Sequence, residues 1–212
     1  MKLYFSPGAC SLSPHIVAHE LGLPLTIDKV SNKRTSDGRD FWQINPKGYV
    51  PVLELDGGEV LTEGTAIVQY LADQKPEAGL APPNGTLARY RLQEMLGYIN
   101  SELHKSYSPL FTPKTPPETR EERLEYLRKR YGFIEQTLAG KDYLFGDQFT
   151  VADAYLFTVT NWARLVKLDL ADFPNLLAFQ ARVAARPAVQ AAMAAEGLTK
   201  RAYRVLRACE SF

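Results

Sequence analysis

The hydrophobic period of this chain changes once, near residue 75, and that change narrows the folds open to it. Before it, short apolar runs alternate with helical stretches; after it, the apolar stripes have the spacing of helices. The run KLYF (2–5), stopped by Pro7-Gly8, reads as a buried strand. Ser11 or Ser13 offers an N-cap for the next helix, with Pro14 suited to its first turn and Gly22 to its end. LTIDKV (25–30) alternates as a second strand, and SDGRDFWQINPKG (36–48) reads as an irregular or short helical segment. PVLEL (51–55), an Asp-Gly turn and EVL (59–61) predict a hairpin. TEGTAIVQYLADQ (62–74) follows as a helix with Ile67, Tyr70 and Leu71 on one face. The order β-α-β-α-β-β-α makes a small α/β unit.

The polar, proline-bearing stretch KPEAGLAPPNG (75–85) reads as a linker. Beyond it, Leu92, Met95, Leu96, Ile99 and Leu103 form one helical stripe, and Leu124, Leu127, Tyr131, Ile134 and Leu138 another. In FTVADAYLF (149–157), Thr150 can cap a helix and Asp153 can return the bond to the capping residue, with Phe149 as a hydrophobic staple. Two more helices fit 173–186 and 187–197. The expected organisation is an α/β domain over 1–80, an all-helical domain over 86–199, and a basic tail at 200–212 with no evident packing partner.

The totals exclude more than they select. A net charge of +1 over 212 residues gives no argument for nucleic acid or a membrane surface. No run of 18 apolar residues exists and the first residues do not form a signal peptide, so a soluble, cytoplasmic protein is expected. Cys10 and Cys209 make no disulfide framework, and three scattered histidines (His15, His19, His104) predict no metal site.

Three local features carry chemistry. Cys10 follows a strand and precedes a helix, where unpaired N–H groups and the helix dipole favour thiolate. The plainer reading is a small, partly buried hydrophobe at a turn. Pro51 opens a strand; were the Val50–Pro51 bond cis, the turn would leave the Val50 backbone groups to pair with an extended peptide-like ligand, whereas most prolines merely bound a strand. Glu63 precedes Gly64 at a helix start. The helix N–H groups can bind a carboxylate and Glu63 an ammonium, which suits an α-amino-acid end. An acidic residue stabilising the first turn is the commoner explanation of such a glutamate in isolation.

Taken in order, MKLYFSPGACSLSPH, NPKGYVPVL, LTEGTAIVQYLAD, SELHKSYSPLF, FTVADAYLF and RPAVQAAMAAEG resemble the glutathione transferases, specifically the bacterial beta class, over nearly the whole chain. The resemblance implies an N-terminal thioredoxin-like domain with a mixed four-stranded sheet, a C-terminal helical bundle domain, and a homodimer. It implies that Cys10 lies next to the glutathione sulfur, that Val50 before Pro51 pairs with the cysteinyl part, and that Glu63 and Gly64 hold the γ-glutamyl end. Gly64 stands where many transferases have serine. Lys33 lies where a lysine meets the glycyl carboxylate, with Arg34 the alternative. Ser101 and Glu102 match positions that a neighbouring subunit adds to the γ-glutamyl site, although an asparagine expected before them is Gly97. His104 and Lys105 match residues on the electrophile side.

The implied activity is transfer of glutathione, as co-substrate, to hydrophobic electrophiles. The backbone N–H field, with Ser11 or Cys10, would stabilise the glutathione thiolate. Thiol exchange or reductive dehalogenation through a Cys10–glutathione disulfide is the related chemistry. Cys10-Ser11-Leu12-Ser13 lacks a second cysteine, so intramolecular disulfide cycling is not expected. The rival class is a non-catalytic interaction module on the same fold, and direct glutathione binding separates the two.

Overall fold

The computed structural model describes residues 1–198; the tail at 200–212, with Cys209, lies outside the described residues. In chain order the elements are β1 (Lys2–Phe5), α1 (Leu12–Leu21), β2 (Thr26–Lys29), β3 (Val52–Glu54), β4 (Val60–Thr62), α2 (Gly64–Asp73), α3 (Leu87–Tyr98), a π-helical turn (Ile99–His104), α4 (Lys105–Tyr107), α5 (Pro117–Leu138), α6 (Val151–Thr160), α7 (Pro174–Ala184) and α8 (Pro187–Ala195). Packing divides the described residues into two compact units, Met1–Leu71 with residues 185–198, and Ala72–Ala184.

The first unit holds a mixed four-stranded sheet ordered β2-β1-β3-β4. β1 and β2 are parallel, while β1 with β3 and β3 with β4 are antiparallel. KLYF is central because its side chains are buried on both faces: Leu3, Tyr4 and Phe5 are all at most 5% exposed. The hairpin turns through Gly58 (φ +84°), a backbone state that favours glycine. The segment 36–48 contains one 3-10 turn, Phe41–Gln43, capped by the Asp40 carboxylate on the Trp42 N–H.

The serine cap expected for α1 does not form. Ser11 occupies the cap position with helical backbone and makes no side-chain cap bond. Its buried hydroxyl donates to the Ser6 carbonyl and accepts the Ser6 N–H, both at 3.2 Å. Ser13 is also turned inward, donating to the Cys10 carbonyl at 2.9 Å. Both serines therefore fasten the β1–α1 turn rather than start the helix.

The expected boundary at 80–86 put the last helix with the helical domain, but α8 packs in the first unit against α1. Buried polar groups explain this. His15 Nδ1 lies 3.0 Å from Glu196 Oε1, and Glu196 Oε2 accepts the Gly8 N–H at 2.9 Å. Arg186 forks onto Glu20 at 2.6 and 2.9 Å. The i,i+4 histidines of α1 thus serve packing: His15 meets Glu196, and its ring lies 5.0 Å from that of His19.

The second unit is helical, as the stripes predict: Leu92, Met95, Leu96, Ile99 and Leu103 are buried, as are Leu127, Tyr131, Ile134 and Leu138. Arg89 of α3, 3% exposed, closes the linker by reaching Asp73 at 2.8 and 2.9 Å and the Pro82 carbonyl. That pairing holds the Asp73 carboxyl below its ordinary range. The capping box of α6 is formed, and Phe149 packs edge-on to Tyr143. Among the described residues no helix is long and apolar enough to cross a membrane.

Candidate functional site

The candidates of the first unit gather along the loop 45–51. Buried Asn45 shapes this loop by accepting the Lys47 N–H and donating from Nδ2 to the Tyr49 carbonyl at 2.7 Å. Gly48 has φ +70°, and a Cβ there would lie 2.4 Å from the Trp42 ring, so both backbone and space demand glycine. The Val50–Pro51 bond is cis.

Cys10, partly buried and in no disulfide among the described residues, donates from Sγ to the Val50 carbonyl at 3.3 Å. The Val50 N–H has no partner among the described residues. Lys33 Nζ donates to the Gly48 carbonyl at 2.6 Å, over the rings of Trp42 and Tyr49 at 5.4 Å each. Arg34 turns back to its own loop, reaching the Gly38 carbonyl at 3.0 Å. Of the two cations weighed for one role, the fold brings Lys33 to the loop.

At the other end, Glu63 directly precedes α2, and its carbonyl accepts from Ala66 and Ile67. Its exposed carboxylate pairs with Lys47 Nζ at 2.7 Å, and Lys47 also donates to Thr62 Oγ1. Lys33 (φ +60°) and Glu63 (φ +68°) both have left-handed backbone. Each such residue costs roughly 1–3 kcal/mol and is characteristic of ligand clamps. A Cβ at Gly64 would meet Pro51 Cγ at 3.6 Å, an ordinary contact, so a serine would fit here.

The second unit carries its candidates on the π-helical turn, a geometry that recurs at functional sites. Ser101 donates to the Gly97 carbonyl at 3.0 Å. Glu102 accepts from the Tyr126 hydroxyl at 2.5 Å and lies 2.8 Å from Arg130 Nε. The Glu102 carboxylate is therefore engaged inside its own chain. Lys105 opens α4 and is exposed. His104 Nδ1 lies 2.5 Å from the Tyr155 hydroxyl, with the Trp162 ring edge-on at 4.9 Å.

Ser11, weighed as a thiolate stabiliser, is fully buried and bound to Ser6. Its hydroxyl faces the turn it fastens. Sequence reasoning missed Lys47, Trp42, Tyr49, Asn100 and Tyr155. Lys47 and Tyr155 sit inside motifs that were otherwise read, NPKGYVPVL and FTVADAYLF, but a surface lysine and a core tyrosine announce nothing until their partners are known.

The fold and these clusters define a protein with a thioredoxin-like first unit and a helical second unit. Models of the glutathione S-transferase N-terminal domain and C-terminal domain match residues 8–74 and 98–187. Glutathione S-transferase GstA of Escherichia coli O157:H7 is 46% identical over 93% of this chain and 100% of its own length. A sphingomonad glutathione S-transferase complexed with glutathione is 46% identical with a TM-score of 0.90, covering 94% of this chain and 100% of its own. The bacterial beta class enzyme of Sphingomonas chungbukensis is 46% identical with a TM-score of 0.91 over the same shares. The chain belongs to the glutathione S-transferase family, in its bacterial beta class.

Proposed function

We propose that this chain is a glutathione transferase in which the loop 45–51 holds the tripeptide and Cys10 lies beside its sulfur. One observation carries this: along a single loop the first unit sets out the chemistry of glutathione. Lys33 supplies a cation for the glycyl carboxylate. The Val50 N–H and carbonyl match a central amide. The N–H groups at the start of α2 suit the α-carboxylate of the γ-glutamyl end, and Glu63 suits its ammonium. The solved sphingomonad relative, which holds glutathione, supports the reading.

The chain's own part in the reaction is to bind and to stabilise a thiolate. The N–H groups of the β1–α1 turn and the dipole of α1 make the field that favours it. Ser11 contributes indirectly, by fixing that turn through Ser6. Holding the thiolate and a hydrophobic electrophile together supplies much of the rate. His104 and Lys105 serve the electrophile side, and the setting is cytoplasmic detoxification. A non-catalytic role is not favoured, because Cys10, Lys33 and Glu63 are all brought to the same loop system.

The test is Glu63→Gln. Its pair with Lys47 is exposed on both sides, so the fold should lose at most about 1 kcal/mol. The ligand ammonium should lose a charge-assisted bond of about 1.5–3 kcal/mol, lowering glutathione affinity about tenfold or more. Titration calorimetry showing unchanged affinity would reduce Glu63 to a helix-end residue.

The assembly proposed is a homodimer built on α3. Leu87 and Tyr90 of that helix are 71% and 59% exposed, an apolar face that a second copy would cover. Sedimentation at micromolar concentration should give twice the 23.7 kDa chain mass; a single species at the chain mass would rule the dimer out.

A further inference from the structure

Lys33 is fixed in place without being neutralised. It sits in the turn 31–34, which Ser31 and Arg34 close by two reciprocal backbone bonds at 2.9 Å each. Asn32 (φ +50°) and Lys33 (φ +60°) fill the central positions, both left-handed as in a type I′ turn. The Lys33 carbonyl accepts the Phe41 N–H at 2.9 Å, which ties the turn to the core cluster of Tyr4, Val30, Phe41 and Val52. Trp42 follows Phe41, and its ring rests against the Gly48 backbone, leaving no room there for a Cβ. The carbonyl of that same Gly48 accepts Lys33 Nζ at 2.6 Å. The ammonium then lies 5.4 Å from the ring centres of both Trp42 and Tyr49, within cation–π range. Lys47, on the same loop, is neutralised by Glu63 at 2.7 Å; among the described residues Lys33 has no carboxylate partner. A carbonyl and two ring faces orient an ammonium and strip part of its water, but they leave its charge uncancelled. Such a cation favours an anion from outside the chain.

We propose that Trp42 is a positioning residue that, with Tyr49, holds the Lys33 ammonium in place for the end carboxylate of the tripeptide, and so makes a negative charge at the glycyl end a requirement for tight binding. This rests on the reading of the loop 45–51 as the glutathione site. It deepens that reading by naming what the far end of the site selects. A lysine that swings freely must give up its rotamer freedom when a ligand arrives; here the indole and the Gly48 carbonyl restrict it beforehand. A ligand with a neutral glycyl end leaves the fixed cation unmatched and gains nothing from this arrangement. Trp42 is 45% exposed, so replacing its ring changes the surface of the first unit and spares the core.

The experiment is titration calorimetry on the full chain with two probes, glutathione and glutathione whose glycyl carboxylate is converted to the amide. Wild type should favour glutathione about tenfold, and Lys33→Met should lose most of that preference. Trp42→Leu should weaken glutathione about fivefold and the amide by less than about twofold. Trp42→Phe keeps a ring face and should return glutathione affinity to within about twofold of wild type. In conjugation of an aryl halide, Trp42→Leu should raise the KM for glutathione in the same proportion while kcat stays within about twofold, because this contact is remote from the sulfur and is the same in ground and transition states. Equal weakening of both probes by Trp42→Leu would make the indole a mere support for Gly48 and overturn the proposal. Unchanged glutathione affinity in Trp42→Leu, or a wild type that binds both probes equally, overturns it as well. A wild type that binds neither probe fails the transferase reading and takes the proposal with it, an outcome distinct from intact glutathione binding without charge selection.

Discussion

Cys10→Ala should form no glutathione adduct when incubated with glutathione disulfide, whereas wild type gains one at Cys10. In wild type the Cys10 thiolate attacks one sulfur of the disulfide. The S–S bond of glutathione disulfide breaks, a Cys10–glutathione bond forms, and glutathione thiolate leaves. Three observations favour this cysteine. It is only partly buried and in no disulfide among the described residues, its Sγ lies 3.3 Å from the Val50 carbonyl within the loop system that suits glutathione, and it precedes α1 by two residues. No second cysteine stands in Cys10-Ser11-Leu12-Ser13, so no neighbouring thiol of that motif can resolve the adduct. Conjugation of aryl halides should fall less, within about tenfold, because the N–H field belongs to the backbone and survives the substitution. Intact-mass spectrometry with peptide mapping is the measurement. Wild type without adduct, or an adduct carried by Cys209 alone, would refute the redox role of Cys10.

Asp153→Ala should be the most destabilising single change in the helical unit. The Asp153 carboxylate, fully buried, accepts the Leu144 N–H at 2.9 Å, the Thr150 N–H at 2.8 Å and the Thr150 hydroxyl at 2.7 Å. Alanine strands two buried N–H groups at roughly 1–3 kcal/mol each and removes the reciprocal half of the α6 capping box, against a total stability of about 5–15 kcal/mol. Burial outweighs these bonds and pushes the Asp153 carboxyl up from 3.8 to about 6. The sign follows: the folded protein binds this proton more tightly than the unfolded chain, so the Asp153 contribution is most favourable below the unfolded value. It is lost as pH rises through about 6. The protonated form keeps the network, because its O–H can donate to the Thr150 hydroxyl while the other oxygen accepts from Leu144. Denaturant melts between pH 4 and 7 should show this fall in wild type and its absence in Asp153→Ala. Equal stability of the two proteins at pH 5 would contradict the assignment.

The α/β order, the helical stripes and the Thr150–Asp153 box were legible because each is a local pattern. Strand alternation, a 3.6-residue stripe and a capping residue three positions from its partner are fixed by neighbours along the chain. Cys10, Val50, Pro51, Glu63 and Gly64 were legible as separate local oddities, and resemblance to a family placed them in one list. Other features were not legible. The Ser11 cap failed because a hydroxyl beside a helix start will take a backbone partner from any nearby strand, and β1 delivers Ser6. The choice between Lys33 and Arg34 rested on which direction each side chain leaves a loop of left-handed residues, and adjacency in sequence says nothing about that.

The sequence by itself determined the periods, hence the kinds of element, their order and the α/β-then-helical division, because backbone geometry ties hydrophobic spacing to secondary structure. Only the tertiary structure decided which distant groups meet: α8 against α1 through His15 and Glu196, 181 residues apart, and Tyr155 between Asn100 and His104, 51 residues from the imidazole it touches. Such pairs leave no trace in local spacing. A buried polar group must find a partner, and which partner it finds is set by the packing of whole elements.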